Sequence, residues 1–185
     1  MLGRPVTVDL RDVGLGFAVR DGFAWLRDWG CAEGPSSAMQ RFAEWLRAAG
    51  AENFRIDVDG NVITAGGPEP GERWRVGIRH PWRTGQLCAV LSLADHAVAT
   101  SANDRGKAGI VPSPACGQAA ELAALTVVAG DLAVAEATAA AGLAMGRAGI
   151  AWVDAQPGCL VFAVTEDGFV QHSVGLTELL DAGPS

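Results

Sequence analysis

The side chains best placed to do chemistry cluster in one stretch of this 185-residue chain, residues 99–146. It opens with the polar run ATSAND, where Thr100, Ser101, Asn103 and Asp104 offer two hydroxyls, an amide and a carboxylate. Such groups suit polar recognition of a ligand, and the same residue types also close loops by bonding to nearby main chain. Farther on, Glu136 is the one charged residue in the apolar run 132–145. A carboxylate on such a helix is costly to bury unpaired. The sequence therefore predicts an Arg partner, a bound metal or a route to solvent for Glu136, with the Arg pair as the first expectation. His80 reads as a turn residue, His96 as a surface or edge residue, and His172 as packed or solvated. The four cysteines (Cys31, Cys88, Cys116, Cys159) stand far apart, with no C-x-x-C and no His at ligand spacing. A disulfide framework or structural zinc is not expected from that pattern; Cys88 and Cys159 read as core, Cys31 and Cys116 as loop residues.

These groups need elements to hold them. Residues 6–10 alternate and read as a strand, residues 17–29 carry apolar side chains at helical spacing closed by Gly30, and residues 37–49 repeat that pattern with Ser36 or Ser37 as N-cap and Gly50 as stop. From residue 53 the period changes to two. Strands at 54–58 and 62–65 flank Asp59–Gly60–Asn61, a hairpin signal because D-G supplies positive φ angles. Further strands are expected at 74–78, 87–93, 97–100 and 122–129, then a helix at 132–145, apolar on all sides and so covered on both. Strands at 149–153, 160–165 and 169–172, with a turn at 166–168, and a terminal helix at 174–181 complete the chain. Runs of antiparallel strands separated by helices indicate an α+β fold, a mostly antiparallel sheet with a central buried helix and flanking helices.

Composition narrows the function classes. Hydrophobic residues make up 49% of the chain, ample for a core, and the net charge of −7 opposes a nucleic-acid surface. No run approaches the ~20 apolar residues of a membrane span. The start MLGRPVTVDL has no long apolar segment, so a cytoplasmic protein is expected.

Several segments, in order and at near-family spacing, resemble the FAD:protein FMN transferase (ApbE-type) family: AEWLRAAGAENFRIDVDGNVITAGG, WRVGIRHPWRTG, AVLSLADHAVATS, LTVVAG and AEATAAAGLAMG. The resemblance runs from residue 37 to about 172. It implies the C-terminal part of that fold, preceded by a shortened element at 1–36, with an ApbE-like domain at 37–185. It also implies FAD as flavin donor, transfer of FMN to a Thr or Ser of a partner flavoprotein, and a divalent metal, usually magnesium. By the resemblance Gly60 and Asn61 join Thr100, Ser101, Asn103 and Asp104 in a flavin pocket, and Glu136 takes the place of a metal-binding Asp. The family Thr one helical turn later falls on Ala140. The family loop H-I-x-D-P-x-T-G matches Ile110–Gly117, where only Pro114 and Gly117 survive. The sequence thus predicts a divergent, truncated member without ordinary FMN transfer and with no assignable catalytic residue. The expected ligand is FAD, FMN or another small molecule, beside a degenerate magnesium site, in a homo-oligomer or with a partner protein. The alternatives are a non-catalytic partner subunit, or an enzyme repurposed through Ser101, Asp104 or Cys116.

Overall fold

The computed structural model describes residues 6–9, 18–20, 23–25, 35–103 and 121–181. In chain order these form β1 (Val6–Asp9), β2 (Ala18–Arg20), β3 (Phe23–Trp25), α1 (Pro35–Ala48), β4 (Phe54–Val58), β5 (Asn61–Ala65), β6 (Trp74–Arg79) and β7 (Leu87–Leu93). They continue with β8 (Ala97–Ala102), β9 (Leu122–Ala129), α2 (Leu132–Ala144), α3 (Arg147–Asp154), β10 (Leu160–Thr165), β11 (Val170–His172) and a 3-10 turn at Val174–Glu178. Seven strands make one sheet in the order β1-β4-β5-β8-β9-β10-β11. It is antiparallel except where β1 lies parallel to β4, pairing Val6 with Phe54. The expected α+β class with a mostly antiparallel sheet holds, and no helix among the described residues is long and apolar enough to cross a membrane.

Strand periodicity sends alternate side chains to opposite faces, and this sheet buries both. On one face Phe54, Ile56, Ile63, Ala99, Leu125, Val127 and Val161 pack with Met39, Phe42 and Leu46 of α1 and Leu132, Ala135 and Ala139 of α2. On the other face Val62, Val98, Val128, Phe162 and Val164 pack with Val76, Ile78, Leu91 and Leu93 of the β6–β7 hairpin and with Leu176 and Leu179. The molecule is therefore three layers, helices over sheet over hairpin. The Trp74 indole N–H donates to the Ala65 carbonyl at 2.9 Å and ties the hairpin to the sheet.

Local signals account for much of this. Asp59 and Gly60 have φ of 52° and 98°, the left-handed pair that a two-residue hairpin turn requires. Asn61 leaves the turn and opens β5, paired with Val58. At the end of α1, Gly50 (φ 82°) donates to Arg47 O at 3.0 Å and Ala51 to Leu46 O at 2.9 Å, a Schellman closure. Pro35 rather than a serine starts α1, because Pro suits the first helical position, where no N–H is needed.

Four expectations are corrected. Residues 18–20 and 23–25 pair as a hairpin, Val19 opposite Ala24, in place of the helix expected at 17–29; the D-G between them is the stronger local signal. Residues 147–154 are helical, not the strand expected at 149–153. Gly149 explains why: a Cβ there would stand 1.9 Å from the Gly142 carbonyl oxygen, so α3 packs against the backbone of α2. The terminal helix shrinks to the 3-10 turn, since Leu180 bridges to Leu91 and draws the chain into sheet pairing. Finally, α2 is covered on one side only: Leu132, Ala135, Thr138, Ala139 and Gly142 are buried while Val134 is 47% exposed.

The α2–α3 contact yields a test. Gly149→Ala forces a backbone to move and should destabilise the fold by about 1–3 kcal/mol. Gly130→Ala, where a Cβ would meet nothing within 4 Å, should stay within about 0.5 kcal/mol. Urea midpoints of the two variants check both.

Candidate functional site

The D-G turn and the end of β8 share one end of the sheet. Asn61 is one residue beyond the Val62–Val98 pair on one strand, and Thr100 is two beyond it on the other. Gly60 is half-buried in the turn, and a Cβ there would sit 4.0 Å from the guanidinium carbon of Arg79. The Thr100 hydroxyl meets the Thr126 hydroxyl at 2.8 Å across the β8–β9 pair, on the hairpin side of the sheet. Ser101, opposite Leu125, faces the helices and is half-buried. Asn103 donates from its main chain to Ala123 O at 2.9 Å and from its side-chain amide to Leu122 O at 2.6 Å. That amide nitrogen is thus committed to holding the strand end. Asp104 lies outside the described residues, as do Cys31, Cys116 and the residues matching the family loop.

Glu136 is exposed, so its carboxylate has the route to solvent that was one of the three expectations. It stands on the side of α2 away from the sheet, and Thr100 lies on the far face of that sheet. The structure therefore gathers Gly60, Asn61, Thr100, Ser101 and Asn103 at one strand end and keeps Glu136 apart. Ala140, one turn on, shares the exposed side with Glu136, but its methyl group has no donor atom. Among the described residues no group of three or more His, Cys, Asp and Glu side chains is gathered to hold an ion. Magnesium takes about six oxygens, several from water and substrate phosphate; α2 carries one carboxylate, Glu136.

Two groups escaped sequence reasoning. Arg79 reaches the turn from a different hairpin, a contact that only the layered fold creates. The second is a network at the same end of the sheet, where Glu121 accepts from the Arg147 N–H at 2.9 Å and caps α3, whose N-cap Gly146 has no side chain. The Arg147 guanidinium in turn meets both oxygens of Asp167 at 3.2 Å. The Thr165 hydroxyl, and behind it the Arg147 charge, hold the Asp167 carboxyl below the ordinary carboxylate range. Burial pushes the half-buried Cys88 thiol up, which disfavours its thiolate. Cys159 is buried, as expected of a core residue.

The fold is similar to that of solved flavin transferase structures. The apbe protein of Thermotoga maritima aligns with a TM-score of 0.66 and 23% identity, over 79% of this chain and 51% of that one. The flavin transferase ApbE of Vibrio cholerae aligns at 0.64 and 20%, over 89% and 58%. The flavinyl transferase ApbE of Pseudomonas stutzeri, in its apo form, aligns at 0.63 and 20%, over 89% and 55%. This chain thus spans between half and three-fifths of the length of these structures. No curated protein sequence matches it. The ApbE family matches residues 8–162, and the chain belongs to that family.

The Asp167 network makes a pH prediction. A lowered carboxyl favours the folded state above its unfolded pKa, and that contribution is lost as pH falls through the folded value. Arg147→Met and Thr165→Val should each move the Asp167 titration back up towards the ordinary range. Carboxyl chemical shifts followed against pH report this directly; an unmoved titration in both variants contradicts it.

Proposed function

We propose that this ApbE-family chain binds a flavin, FAD or FMN, or a related small molecule, and does not carry out ordinary FMN transfer. The observation that supports the reading most is the exposed side of α2. Glu136 and Ala140 keep the one-turn spacing of a metal-binding pair there, yet only one of them has a ligand atom. On this reading the magnesium site at Glu136 is degenerate, and the small molecule is held at the sheet end by Gly60, Asn61, Thr100, Ser101, Asn103 and Asp104. Arg79 adds a cation suited to phosphate oxygens. The reading keeps a domain at 37–185 behind a short element at 1–36, although β1 joins the same sheet as β4. It places the chain in the cytoplasm, which the free thiols of Cys88 and Cys159 support.

A second reading, a non-catalytic subunit that associates with its own copies or with a partner protein, is favoured by apolar side chains left exposed on the helical layer. Trp45 is 48% exposed, Met145 45% and Trp152 36%, and exposed apolar groups of this size mark association surfaces where they are contiguous.

Purified protein separates the readings. Flavin absorbance, and flavin released on heating, are expected under the first. A colourless, stable homodimer or a co-purifying protein is expected under the second. Incubation with FAD, magnesium and an acceptor flavoprotein should leave the acceptor mass unchanged, and an FMN-sized increase overturns the loss of transfer. In the double variant E136D/A140T, magnesium binding measured by calorimetry should tighten by about ten-fold or more if α2 retains the ancestral site geometry.

A further inference from the structure

We infer that the groove between α3 and the edge strand β11 binds an extended peptide segment of a partner protein, added as one more strand antiparallel to β11. A cavity of about 480 Å³ lies there, lined by Arg147, Ile150 and Asp154 of α3 and by Val161, Gln171 and His172 of the sheet. Its position beside an open strand is the decisive feature. β11 ends the sheet among the described residues, and all three of its residues are exposed.

The hydrogen-bond register shows which main-chain groups are free to receive a strand. Thr165 N–H donates to Phe169 O at 2.9 Å and Ser173 N–H to Val161 O at 2.9 Å. Residues 169 and 173 therefore turn their polar groups inward, and by alternation so does Gln171, opposite Ala163. Val170 and His172 turn their N–H and C=O groups outward, to the open edge. An extended peptide satisfies these groups with its own main chain, the mode by which strand addition gains affinity. Gln171 shares the helix-facing side with Ala163, so its amide stands in the groove beside Ile150 and Val161 as a partner for peptide polar groups.

Charge gives the incoming strand a direction. Arg147 opens α3 and Asp154 closes it, about 10 Å apart along the axis, the span of about three strand residues. Arg147 meets Asp167, which lies in the turn just before β11, so the cation sits at the start of β11 and Asp154 towards its end. A strand antiparallel to β11 enters beside Asp154 and leaves beside Arg147. The fitting segment therefore carries a Lys or Arg at its first position and a carboxylate at its last, with small or β-branched residues between. The Arg147–Asp167 pair is exposed on both sides; such pairs are weak and yield readily to a competing carboxylate. The proposal stands apart from flavin binding, since the groove shares no residue with the sheet-end set.

The probe for a test is the synthetic peptide Lys-Thr-Val-Thr-Asp. Amide exchange followed by NMR should show slowed exchange and shifted resonances at Val170 and His172 on saturation with it. The same peptide N-methylated at both Thr residues, whose N–H groups face His172 and Val170, and the reversed peptide Asp-Thr-Val-Thr-Lys, should bind at least about ten-fold more weakly. Arg147→Glu should weaken the probe by a similar factor and gain affinity for a peptide ending in Lys, a rescue that a misfolded variant cannot give. Unchanged exchange at Val170 and His172 under saturating probe overturns the proposal, as does equal binding of the N-methylated peptide. Protection of these amides that rises with protein concentration and without peptide also overturns it, because a second copy then occupies the edge. Failure here leaves flavin binding untouched, because that is read by colour and heat release.

Discussion

Burial of the central sheet on both faces is the constraint on which the rest of the molecule depends. All eight residues of β9 are buried, a state otherwise typical of parallel sheets flanked by helices. Here an antiparallel sheet reaches it because α1 and α2 cover one face and the β6–β7 hairpin covers the other. A buried polar atom is costly to leave unpaired in such a sheet; Arg55 Nε and Asp57 Oδ1 of β4 are left so, whereas the buried threonines show how the requirement is met. Thr64 donates to His96 O at 2.9 Å, Thr126 pairs with Thr100, and Thr165 donates to Phe169 O at 3.1 Å. Each hydroxyl closes a strand pairing or a turn, so these polar residues fix register where apolar ones fill space.

That architecture decides where chemistry can sit. A sheet sealed above and below leaves its strand ends and its edge as the places where main-chain polar groups meet solvent. The polar residues of the D-G turn and of the β8 end occupy one such place, and the α3–β11 groove occupies another. Glu136 belongs to neither, being on the outer side of the helical layer. The separation follows from α2 burying one side: its other side faces away from every strand.

Sequence reading reached the elements whose signals are local. The D-G hairpin at 59–60, the eight-residue apolar strand at 122–129 and the Gly50 stop were legible because each depends on a few neighbouring residues. The errors arose where two periods compete or where a distant contact decides. Residues 17–29 carry apolar groups at both helical and alternating spacing, and the described ones, 18–20 and 23–25, pair as strands. Gly149 reads as a strand opener until Gly142 is known to lie against it. The terminal segment has apolar residues at helical spacing, yet the pairing of Leu180 with Leu91 is invisible from the chain alone. The candidate site shows the same division. Thr100, Ser101 and Asn103 were visible as a polar run, whereas Arg79 is 19 residues from Gly60 in sequence and meets it only across layers.

The double grip of Asn103 on β9, with Glu121 holding Arg147 on the other side, has a consequence for how this protein can change over time. Those bonds end on main-chain groups of Leu122, Ala123 and Arg147, so the bonds themselves do not depend on which side chains those three positions carry. Variation around this end of the sheet can therefore alter what the surface presents while the strand end and the start of α3 stay anchored.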